Sequence, residues 1–456
     1  MAKKGKTVFL CQECGFESPK WIGQCICGAW NSMVEEKVVE TREGDPRRRK
    51  EAAAGQKAVS LKDVRSGQHH RIDTGIGELN RVLGGGLVRG SLCLISGEPG
   101  IGKSTLIIQA AARISAQGKR VLYVTGEESE EQIKIRADRV CQEDLDQLYL
   151  LSETCMENIL AVQESLQPDF IIIDSIQTMY TEELDSAPGS VSQVRMCGNY
   201  LMKIGKGRDI PIFIVAHVTK NGDLAGPKIL EHLVDCVLNF TGERTQELRI
   251  LRAVKNRYGT TSELGAFEMR EEGLEEVENL SGTFLEGMEE SIAGSIATAV
   301  YEGTRPLLLE IQALTAQTVM NFPRRTTVGV EGARLNMILA VLERKTDAQL
   351  GFMDVYVNIV GGLKPEGTST DLAVALAVYS AFHGKVIDAG TLAVGEIGLT
   401  GDLRSVRNGD RIIREAARMG FRKVILPEKN AALIADPPPG IRLCGVRTLK
   451  EAIASL

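Results

Sequence analysis

The sequence predicts an α/β protein in three folded parts: a small cysteine-rich segment, a larger α/β core and a second α/β domain. Four of the ten cysteines lie between residues 11 and 27. Short β-rich runs then alternate with segments of helical period, which is typical of βαβ units on a mostly parallel sheet. A second α/β pattern begins near residue 285. We therefore expect domains at 1–34, 60–284 and 285–456, with a linker at 35–59.

The overall composition is that of an ordinary globular chain. Of 456 residues, 25% are charged and 43% hydrophobic, and the length suits two or three domains. The longest apolar runs are shorter than the ~20 residues of a membrane span, and the basic start lacks the apolar core of a signal peptide. We therefore expect a cytoplasmic protein with no membrane contact. A net charge of −6 argues against a uniformly cationic surface but allows a local basic channel.

The cysteine segment has the ligand spacing of a metal site. Two residues separate Cys11 from Cys14 and one separates Cys25 from Cys27, which gives four sulfur ligands for a tetrahedral zinc ion. A domain of about 30 residues buries too little core to fold alone, so an ordered segment needs the metal. The second pair is shorter than the usual two-residue spacing, and a redox or unstructured role is the alternative to Zn²⁺.

The neighbouring features are expected to be structural. Trp21 and Trp30, the only tryptophans, are expected to cap the small core rather than to stack on bases. The stretch at 35–59 is charged and almost free of apolar residues, which predicts a solvated linker rather than a phosphate-binding segment. The remaining cysteines are expected to be small buried hydrophobes: Cys93, Cys141, Cys155, Cys197, Cys236 and Cys444.

Residues 97–105, GEPGIGKST, carry the most specific motif. They match G-x-x-x-x-G-K-[ST] in full, after a β-rich run and before a helical segment. Glycines let backbone N–H groups surround phosphates, the lysine neutralises the outer phosphates and the serine hydroxyl ligates magnesium. The sequence therefore predicts a site for ATP and Mg²⁺. Its expected nucleotide contacts are Gly97, Glu98, Pro99, Gly100, Ile101, Gly102, Lys103, Ser104 and Thr105.

Polar residues also stand at the ends of three other β-rich runs. Asp174 closes DFIIID and is expected to share the magnesium with Ser104. Glu127 closes RVLYVTGE and is expected to act as general base on the attacking water. The alternative is that Glu127 and Glu128 only begin a helix, whose dipole favours them. His217 follows IPIFIVA and is expected to sense the γ-phosphate, with a solvated histidine as the alternative.

These stretches, together with CQECGFESPKWIGQC, GGGLVRGSLCLISGEPGIGKST, KNRYG and VGEIGLTGDLR, resemble the bacterial RadA (Sms) family over essentially the whole chain. The resemblance implies a RecA-like P-loop ATPase that forms hexameric rings and binds single-stranded and branched DNA. It implies a motor of branch migration, akin to DnaB-type helicases, that works beside the RecA recombinase. A binding switch that uses nucleotide without translocating along DNA is the alternative from another functional class.

The pentapeptide KNRYG contains Lys255, Asn256, Arg257, Tyr258 and Gly259. The family resemblance implies a cation supplied to the nucleotide of a neighbouring subunit, with Arg257 as an arginine finger and Lys255 as its companion. Asn256 is expected to hold the loop by hydrogen bonding and Gly259 to let the backbone turn. Tyr258 stands where the family usually has Phe. A basic turn on the surface is the alternative interpretation.

Two segments are expected to contact DNA by analogy with RecA. The first, APGSVSQVR, contains Gln193 and Arg195, and the second, HVTKNGDLAGPK, contains Lys220 and Lys228. Cationic side chains among small residues suit contact with the phosphate backbone without base readout. Without the family resemblance, each segment is typical of a polar surface loop.

Residues 285–456 resemble the proteolytic domain of Lon, an S5-like α/β fold. GGLKPEGTSTDLAVALAV parallels the segment that carries Lon's nucleophilic serine, which places Ser369 near that position. Where Lon has its lysine, this chain has Arg407 to Arg411, and an arginine cannot accept the serine proton. We therefore expect no protease activity and a role in assembly or DNA contact. The cations expected on a DNA-facing surface are Arg324, Arg325, Lys345, Arg404, Arg407 and Arg411.

Overall fold

The structure is a computed structural model that describes residues 6–11, 16–38, 60, 71–217, 229–242, 247–288, 290–319, 322–361, 364–365 and 367–456. Cys14, Lys220 and Lys228 lie outside the described residues, as does most of the expected linker. The chain divides into two compact units, Met1–Val277 and Glu278–Leu456. That division falls a few residues before the boundary expected from the sequence.

The N-terminal segment forms a small antiparallel sheet with the strand order β2-β1-β3. Its strands are β1 (Lys6–Cys11), β2 (Glu17–Ser18) and β3 (Met33–Val38), so β3 runs into the stretch expected to be linker. Cys11, Cys25 and Met33 form its buried core. Trp21 and Trp30 are 53% and 70% exposed, so the expectation that they cap this core is wrong.

The rest of the first unit contains a nine-stranded sheet in the order β14-β13-β12-β11-β6-β10-β9-β7-β8. The strands from β11 to β8 in that order are parallel, and β12, β13 and β14 extend the sheet antiparallel. A separate pair is formed by β4 and β5. The strands are β4 (Arg71–Ile72), β5 (Leu87–Val88), β6 (Leu92–Gly97), β7 (Val121–Thr125), β8 (Leu148–Ser152), β9 (Phe170–Asp174), β10 (Ile212–His217), β11 (Cys236–Thr241), β12 (Leu248–Asn256), β13 (Leu264–Arg270) and β14 (Gly273–Glu276).

Helices cover both faces of this sheet, which is why its central strands are continuous apolar runs. Every residue of β6, β7 and β9 is buried. One core cluster lies on each face, and the edge-to-face pair Phe170–Phe213 has ring centroids 5.2 Å apart. The helices of the first unit are α1 (Gly77–Leu83), α2 (Lys103–Ala116), α3 (Glu130–Val140), α4 (Met156–Leu166), α5 (Val191–Arg208) and α6 (Ile229–Leu233).

The second unit is built on a seven-stranded mixed sheet in the order β17-β18-β16-β15-β19-β22-β23, with a small β20-β21 pair beside it. The strands are β15 (Ser295–Glu302), β16 (Arg305–Gln317), β17 (Arg325–Val328), β18 (Met353–Ile359), β19 (Thr391–Ala393), β20 (Glu396–Ile397), β21 (Leu403–Arg404), β22 (Lys423–Pro427) and β23 (Arg442–Val446). The helices are α7 (Leu280–Phe284), α8 (Gly332–Lys345), α9 (Asp371–His383), α10 (Gly409–Arg418), α11 (Glu428–Ala432) and α12 (Leu449–Ala454).

The central helix of this unit is α9, in which every residue from Asp371 to Val378 is buried. Its mostly apolar sequence therefore serves a core helix, as expected for a run too short to cross a membrane. Within the described part of the chain, no helix combines the length and apolar character that a membrane span requires.

Candidate active site

The glycine-rich motif folds as the sequence predicts, between the end of β6 at Gly97 and the start of α2 at Lys103. Gly102 has a φ of 114°, a left-handed conformation that glycine adopts without strain. A Cβ atom at Gly102 would also lie 2.6 Å from Cε of Met269, so a side chain there would require the end of the Met269 side chain to shift. The N-terminus of α2 therefore opens directly onto the loop, where its unpaired N–H groups favour an anion.

Lys103 is almost completely buried beside this loop, with 3% of its surface exposed. Its Nζ donates hydrogen bonds to the carbonyl oxygens of Gly97 at 2.8 Å and Glu98 at 2.9 Å. Burial lowers the pKa of Lys103 to about 8, and the nearby carboxylates of Asp174 and Glu127 act in the opposite direction. A cation with this low a pKa is easily neutralised, so it depends on anions in the same pocket to stay charged.

Asp174, at the end of β9, faces the same loop. Its carboxylate accepts a hydrogen bond from the Tyr123 hydroxyl at 2.6 Å and another from Ser104. Burial raises the pKa of Asp174, and these two hydrogen bonds oppose that rise. The structure thus brings together Ser104 and Asp174, the expected magnesium ligands, and their oxygen atoms suit that hard cation. Tyr123 is not identified from the sequence, although a tyrosine within the apolar run VLYV was the available signal.

Glu127 and Glu128 lie between β7 and α3 and differ in their partners. Glu128 pairs with Arg136 of α3. Glu127 accepts a hydrogen bond from the hydroxyl of Ser175, and its Oε1 lies 3.5 Å from Nε2 of His217. The helix itself begins at Glu130 after a Ser129 cap, so neither glutamate belongs to it. Glu127 is thus placed beside the other two polar strand ends, where a general base would be needed.

These residues line one cavity of about 470 Å³. Three arginines that the sequence analysis did not identify also line it: Arg136, Arg139 and Arg249. Arg249, from β12, is 5% exposed, and its Nε donates to the carbonyl oxygen of Ile101 at 3.2 Å, which braces the glycine-rich loop. No sequence signal marked Arg249, because β12 joins this site only through the order of strands in the sheet.

KNRYG lies at the ends of the strands that are opposite to the ends carrying the glycine-rich loop. In β11, Phe240 pairs with Gly97 of the glycine-rich loop, whereas Cys236, at the other end, pairs with Asn256. At about 3.3 Å per residue, those two ends are separated by about 13 Å along the strand. Within one chain, therefore, the pentapeptide does not join the nucleotide cavity.

The two cations of this pentapeptide have different surroundings. Nζ of Lys255 donates to the carbonyl oxygens of Glu231 at 2.6 Å and Val234 at 2.8 Å, at the C-terminal end of α6. Burial, followed by the charge of Arg257, lowers the pKa of Lys255. Arg257 keeps 51% of its side chain exposed and is therefore the more accessible of the two.

The N-terminal cysteines have the geometry of a metal site. The sulfur atoms of Cys11, Cys25 and Cys27 all lie within 4.8 Å of one another. The Sγ atoms of Cys11 and Cys27 are 3.8 Å apart. Two sulfurs bound to one tetrahedral zinc at about 2.3 Å would be separated by about 3.8 Å. The spacing therefore fits zinc, and the shortened second pair does not prevent its two sulfurs from converging with that of Cys11.

Comparison with known proteins supports each part of this arrangement. Residues 57–223 match the family described as AAA domain, residues 9–35 the rubredoxin metal binding domain, and residues 326–430 the subunit ChlI of Mg-chelatase. The DNA repair protein RadA of Halalkalibacterium halodurans is 49% identical, with 99% of both chains covered. The chain belongs to the RadA family.

Other members give the same result. RadA of Bacillus subtilis is 47% identical over 99% of this chain and 98% of its own, and RadA of Streptococcus pyogenes is 48% identical over 100% of both. The crystal structure of the RadB recombinase superposes with a TM-score of 0.38 at 22% identity, covering 45% of this chain and 100% of its own. The predicted fold class is confirmed: a RecA-like P-loop core, preceded by a metal-binding ribbon and followed by a second α/β domain of the Lon type.

In this RadA chain the residues expected to contact DNA need partial revision. Arg195 is exposed, but it lies on helix α5 rather than in a loop. Gln193 is 1% exposed, and its side chain bonds the backbone of Thr181 through both amide atoms. Gln193 therefore organises the segment before the helix and is not available to nucleic acid. Lys220 and Lys228 fall outside the described residues.

Ser369 of the second unit, expected near the position of Lon's nucleophile, has a backbone partner. The Ser369 hydroxyl donates to the carbonyl oxygen of Ala299 at 3.4 Å. Among the contacts of the described residues, no lysine amine is hydrogen-bonded to this hydroxyl, and the neighbouring Thr368 is bonded to Glu396 at 2.7 Å.

Some of the cations expected on a DNA-facing surface of this unit are already engaged. Nη2 of Arg325 donates to the carbonyl oxygen of Leu350 at 2.8 Å, and Nη1 bonds that of Met353. Arg404 lies 3.5 Å from a carboxylate oxygen of Glu396. Both arginines therefore have structural partners within their own unit.

Proposed function

We propose that this chain is a DNA-dependent ATPase of recombination and repair. It binds single-stranded and branched DNA and drives branch migration as a hexameric, helicase-like ring that works beside the RecA recombinase in the cytoplasm. Membership of the RadA family and the nucleotide cavity of the AAA-type core support the coarser part of this proposal. The motor and the ring are supported by the separation of KNRYG from that cavity.

The cavity contains groups for each part of a magnesium nucleotide. The loop from Gly97 to Gly102 and the N-terminus of α2 would surround the phosphates, and Lys103 would neutralise them. Ser104 and Asp174 would hold the magnesium, which would supply positive charge to polarise the phosphates. Glu127 would orient the attacking water and accept its proton, while His217, 3.5 Å from Glu127, would couple that carboxylate to the γ-phosphate.

The location of Arg257 is the observation that supports a ring. Arg257 lies at the sheet edge opposite the glycine-rich loop and keeps half of its side chain exposed. A guanidinium there cannot serve the nucleotide of its own chain, but it can serve that of a neighbour in a head-to-tail arrangement, and such arrangements close into rings. An arginine finger supplied in this way contributes about 10³- to 10⁵-fold to the rate of hydrolysis. Lys255 would help to position this finger. In the N-terminal segment, Zn²⁺ bound by the cysteines would hold the ribbon folded.

The test is the rate of ATP hydrolysis, with and without single-stranded DNA, for wild type and Arg257→Ala mixed in varied ratios. We expect DNA to raise the hydrolysis rate of the wild type. Arg257→Ala subunits should lower the hydrolysis rate of mixed assemblies by more than simple dilution, because each variant subunit disables its neighbour's site. Arg208→Gln is a matched control, since Arg208 makes only an exposed ion pair with Glu164.

The opposite result points to a different function. If DNA leaves hydrolysis unchanged and the mixtures only dilute, the pentapeptide does not act across a subunit boundary. The chain would then be a nucleotide-gated binding switch rather than a motor. Branch migration itself is tested by converting three-strand recombination intermediates, made by RecA, to products in the presence of ATP.

A further inference from the structure

A buried carboxylate lies directly behind the guanidinium of Arg257. Asp235, immediately before β11, is 1% exposed. Its Oδ1 lies 3.2 Å from Nη1 of Arg257 and 3.7 Å from Nζ of Lys206, and its Oδ2 accepts a hydrogen bond from the backbone N–H of Leu92 at 3.2 Å. The backbone of Arg257 is held by the same residue, since its N–H donates to the carbonyl oxygen of Asp235 at 3.0 Å. Arg257 is thus fixed at both its backbone and its side chain.

The turn after Arg257 is held from the other side by Arg71 of β4. Nη2 of Arg71 donates to the carbonyl oxygen of Tyr258 at 2.7 Å. Nη1 of the same guanidinium donates to the carbonyl oxygens of Leu83 at 3.2 Å and Gly86 at 3.1 Å. One side chain therefore ties KNRYG to the glycine-rich stretch that follows α1.

Close packing of the backbone reinforces this connection. Asn256 accepts a hydrogen bond from the N–H of Tyr258 at 2.9 Å and donates to the carbonyl oxygen of Val82 at 3.3 Å. A Cβ atom at Gly259 would lie 3.2 Å from Cα of Gly84 and 2.9 Å from Nδ2 of Asn256. A side chain at either glycine would require neighbouring atoms to shift, so the turn and the stretch after α1 are closely packed.

We propose that Asp235 and Arg71 are positioning residues that preset Arg257 for donation to the neighbouring subunit. The inference rests on the proposed trans-acting finger and extends it by naming the groups that hold the finger. A long arginine side chain loses rotamer freedom when it is fixed. Pairing with a buried carboxylate meets that cost before the neighbour's nucleotide arrives, while the exposed half of the side chain remains accessible.

The experiment compares Asp235→Asn, Arg71→Met and Arg257→Ala in the full-length chain with magnesium, ATP and single-stranded DNA. Asp235→Asn keeps the shape of the side chain and removes its charge, and Arg71→Met keeps the stem and removes the donors. We expect each to lower kcat about 10- to 100-fold, because misplacement of a group by about 1 Å can cost about 10². KM for ATP should stay unchanged, because the glycine-rich loop of each subunit is intact.

Complementation separates positioning from general damage. Lys103→Ala subunits keep their own finger but lack a working nucleotide site. Mixing them with Asp235→Asn or Arg71→Met subunits should restore hydrolysis, because the Lys103→Ala neighbour supplies a correctly held Arg257 to an intact site. Arg257→Ala mixed with Lys103→Ala is the positive control for this rescue. A variant that is merely misfolded would not be rescued.

Two outcomes overturn different claims. If Arg257→Ala loses activity and is rescued, while folded Asp235→Asn and Arg71→Met keep the wild-type kcat, the positioning role is wrong and the trans-acting finger stands. If Arg257→Ala itself keeps full activity, the proposed function fails and the positioning role fails with it. If Asp235→Asn does not fold, as judged by circular dichroism, Arg71→Met decides by the same criteria.

Discussion

Both units bury charged side chains within an α/β fold, but they use them differently. In the first unit, Lys103 and Asp174 converge on a cavity lined by further charged groups. In the second, Arg334 of α8 and Asp371 of α9 form a two-point ion pair, with Nε 3.1 Å from Oδ1, and the N–H of Ile397 also donates to Asp371 at 3.1 Å. In the first unit the charged groups face an open cavity, whereas in the second unit the charged groups are paired with each other within the fold.

The two cations follow this division, whereas burial raises the pKa of Asp174 as it does that of Asp371. Lys103 is a titratable cation whose pKa burial lowers to about 8. Arg334 remains charged at any ordinary pH, and burial raises the pKa of Asp371 against the opposing effect of that arginine. A buried charge that can still respond to a ligand indicates a site, and a buried charge that is fully paired indicates a structural tie. Buried charges alone therefore do not identify function in this molecule.

The largest expected effect is loss of stability in the second unit on Arg334→Met. Asp371 would be left as an uncompensated buried charge, which costs about 3–5 kcal/mol. Hydrogen exchange of peptides from α9 measures this loss, and Arg422→Met is the matched control because the Arg422–Asp388 pair is exposed. Unchanged protection of α9 would show that the pair does not hold this unit together.

The next effect is on magnesium use and follows from Tyr123→Phe. This change removes the 2.6 Å hydrogen bond to the Asp174 carboxylate and leaves the buried ring in place. A hydrogen bond to a charged group is worth about 1.5–3 kcal/mol, so we expect at least about a 10-fold rise in the Mg²⁺ concentration for half-maximal hydrolysis. A magnesium titration of wild type and variant measures it. Equal magnesium titrations would show that the hydrogen bond from Tyr123 does not contribute to metal binding by Asp174.

A smaller effect is expected from pH alone. The ammonium form of Lys103 binds phosphate, so ATP affinity is retained below its pKa of about 8 and lost as the pH rises through that value. Between about pH 7 and about pH 9, the dissociation constant should rise about 10-fold. Titration with a fluorescent ATP analogue measures this, and Lys103→Arg should remove the pH dependence, whatever its absolute affinity. A flat wild-type profile would contradict the link between Lys103 and binding.

The smallest expected effect belongs to Ser369→Ala. Its 3.4 Å hydrogen bond to the carbonyl oxygen of Ala299 is long, so stability should change by less than about 0.5 kcal/mol and hydrolysis of ATP not at all. Casein should remain intact with either protein. Degradation by the wild type that is lost in the variant would restore the protease interpretation and erase the contrast between the two units.

The residues that were predictable from the sequence are those whose role is set by their immediate neighbours. The glycine-rich loop and Asp174 each follow a β-rich run, and the polar side chain must emerge where that strand ends. Arg249 and Tyr123 could not be assigned in this way. Their roles come from the order of strands, which places β12 near the loop and a tyrosine of β7 beside the end of β9.

The wrong expectations share a different cause. Gln193 is expected in a DNA-contacting loop by analogy with RecA, but its amide satisfies the backbone around Thr181 and is buried. The tryptophans are expected to cap the ribbon core, whereas Cys11, Cys25 and Met33 form that core and both indoles are largely exposed. In both cases the residue type is compatible with the expected role, and only the three-dimensional contacts show which side chains are buried.

The exposed tryptophans have a practical consequence. Since Trp21 and Trp30 are the only tryptophans in the chain and both lie in the ribbon, tryptophan emission comes from the N-terminal segment alone. The protein therefore carries an intrinsic optical reporter for that segment. Stripping and reloading of its metal can be followed by emission spectra in the intact chain, without a label and without interference from the rest of the molecule.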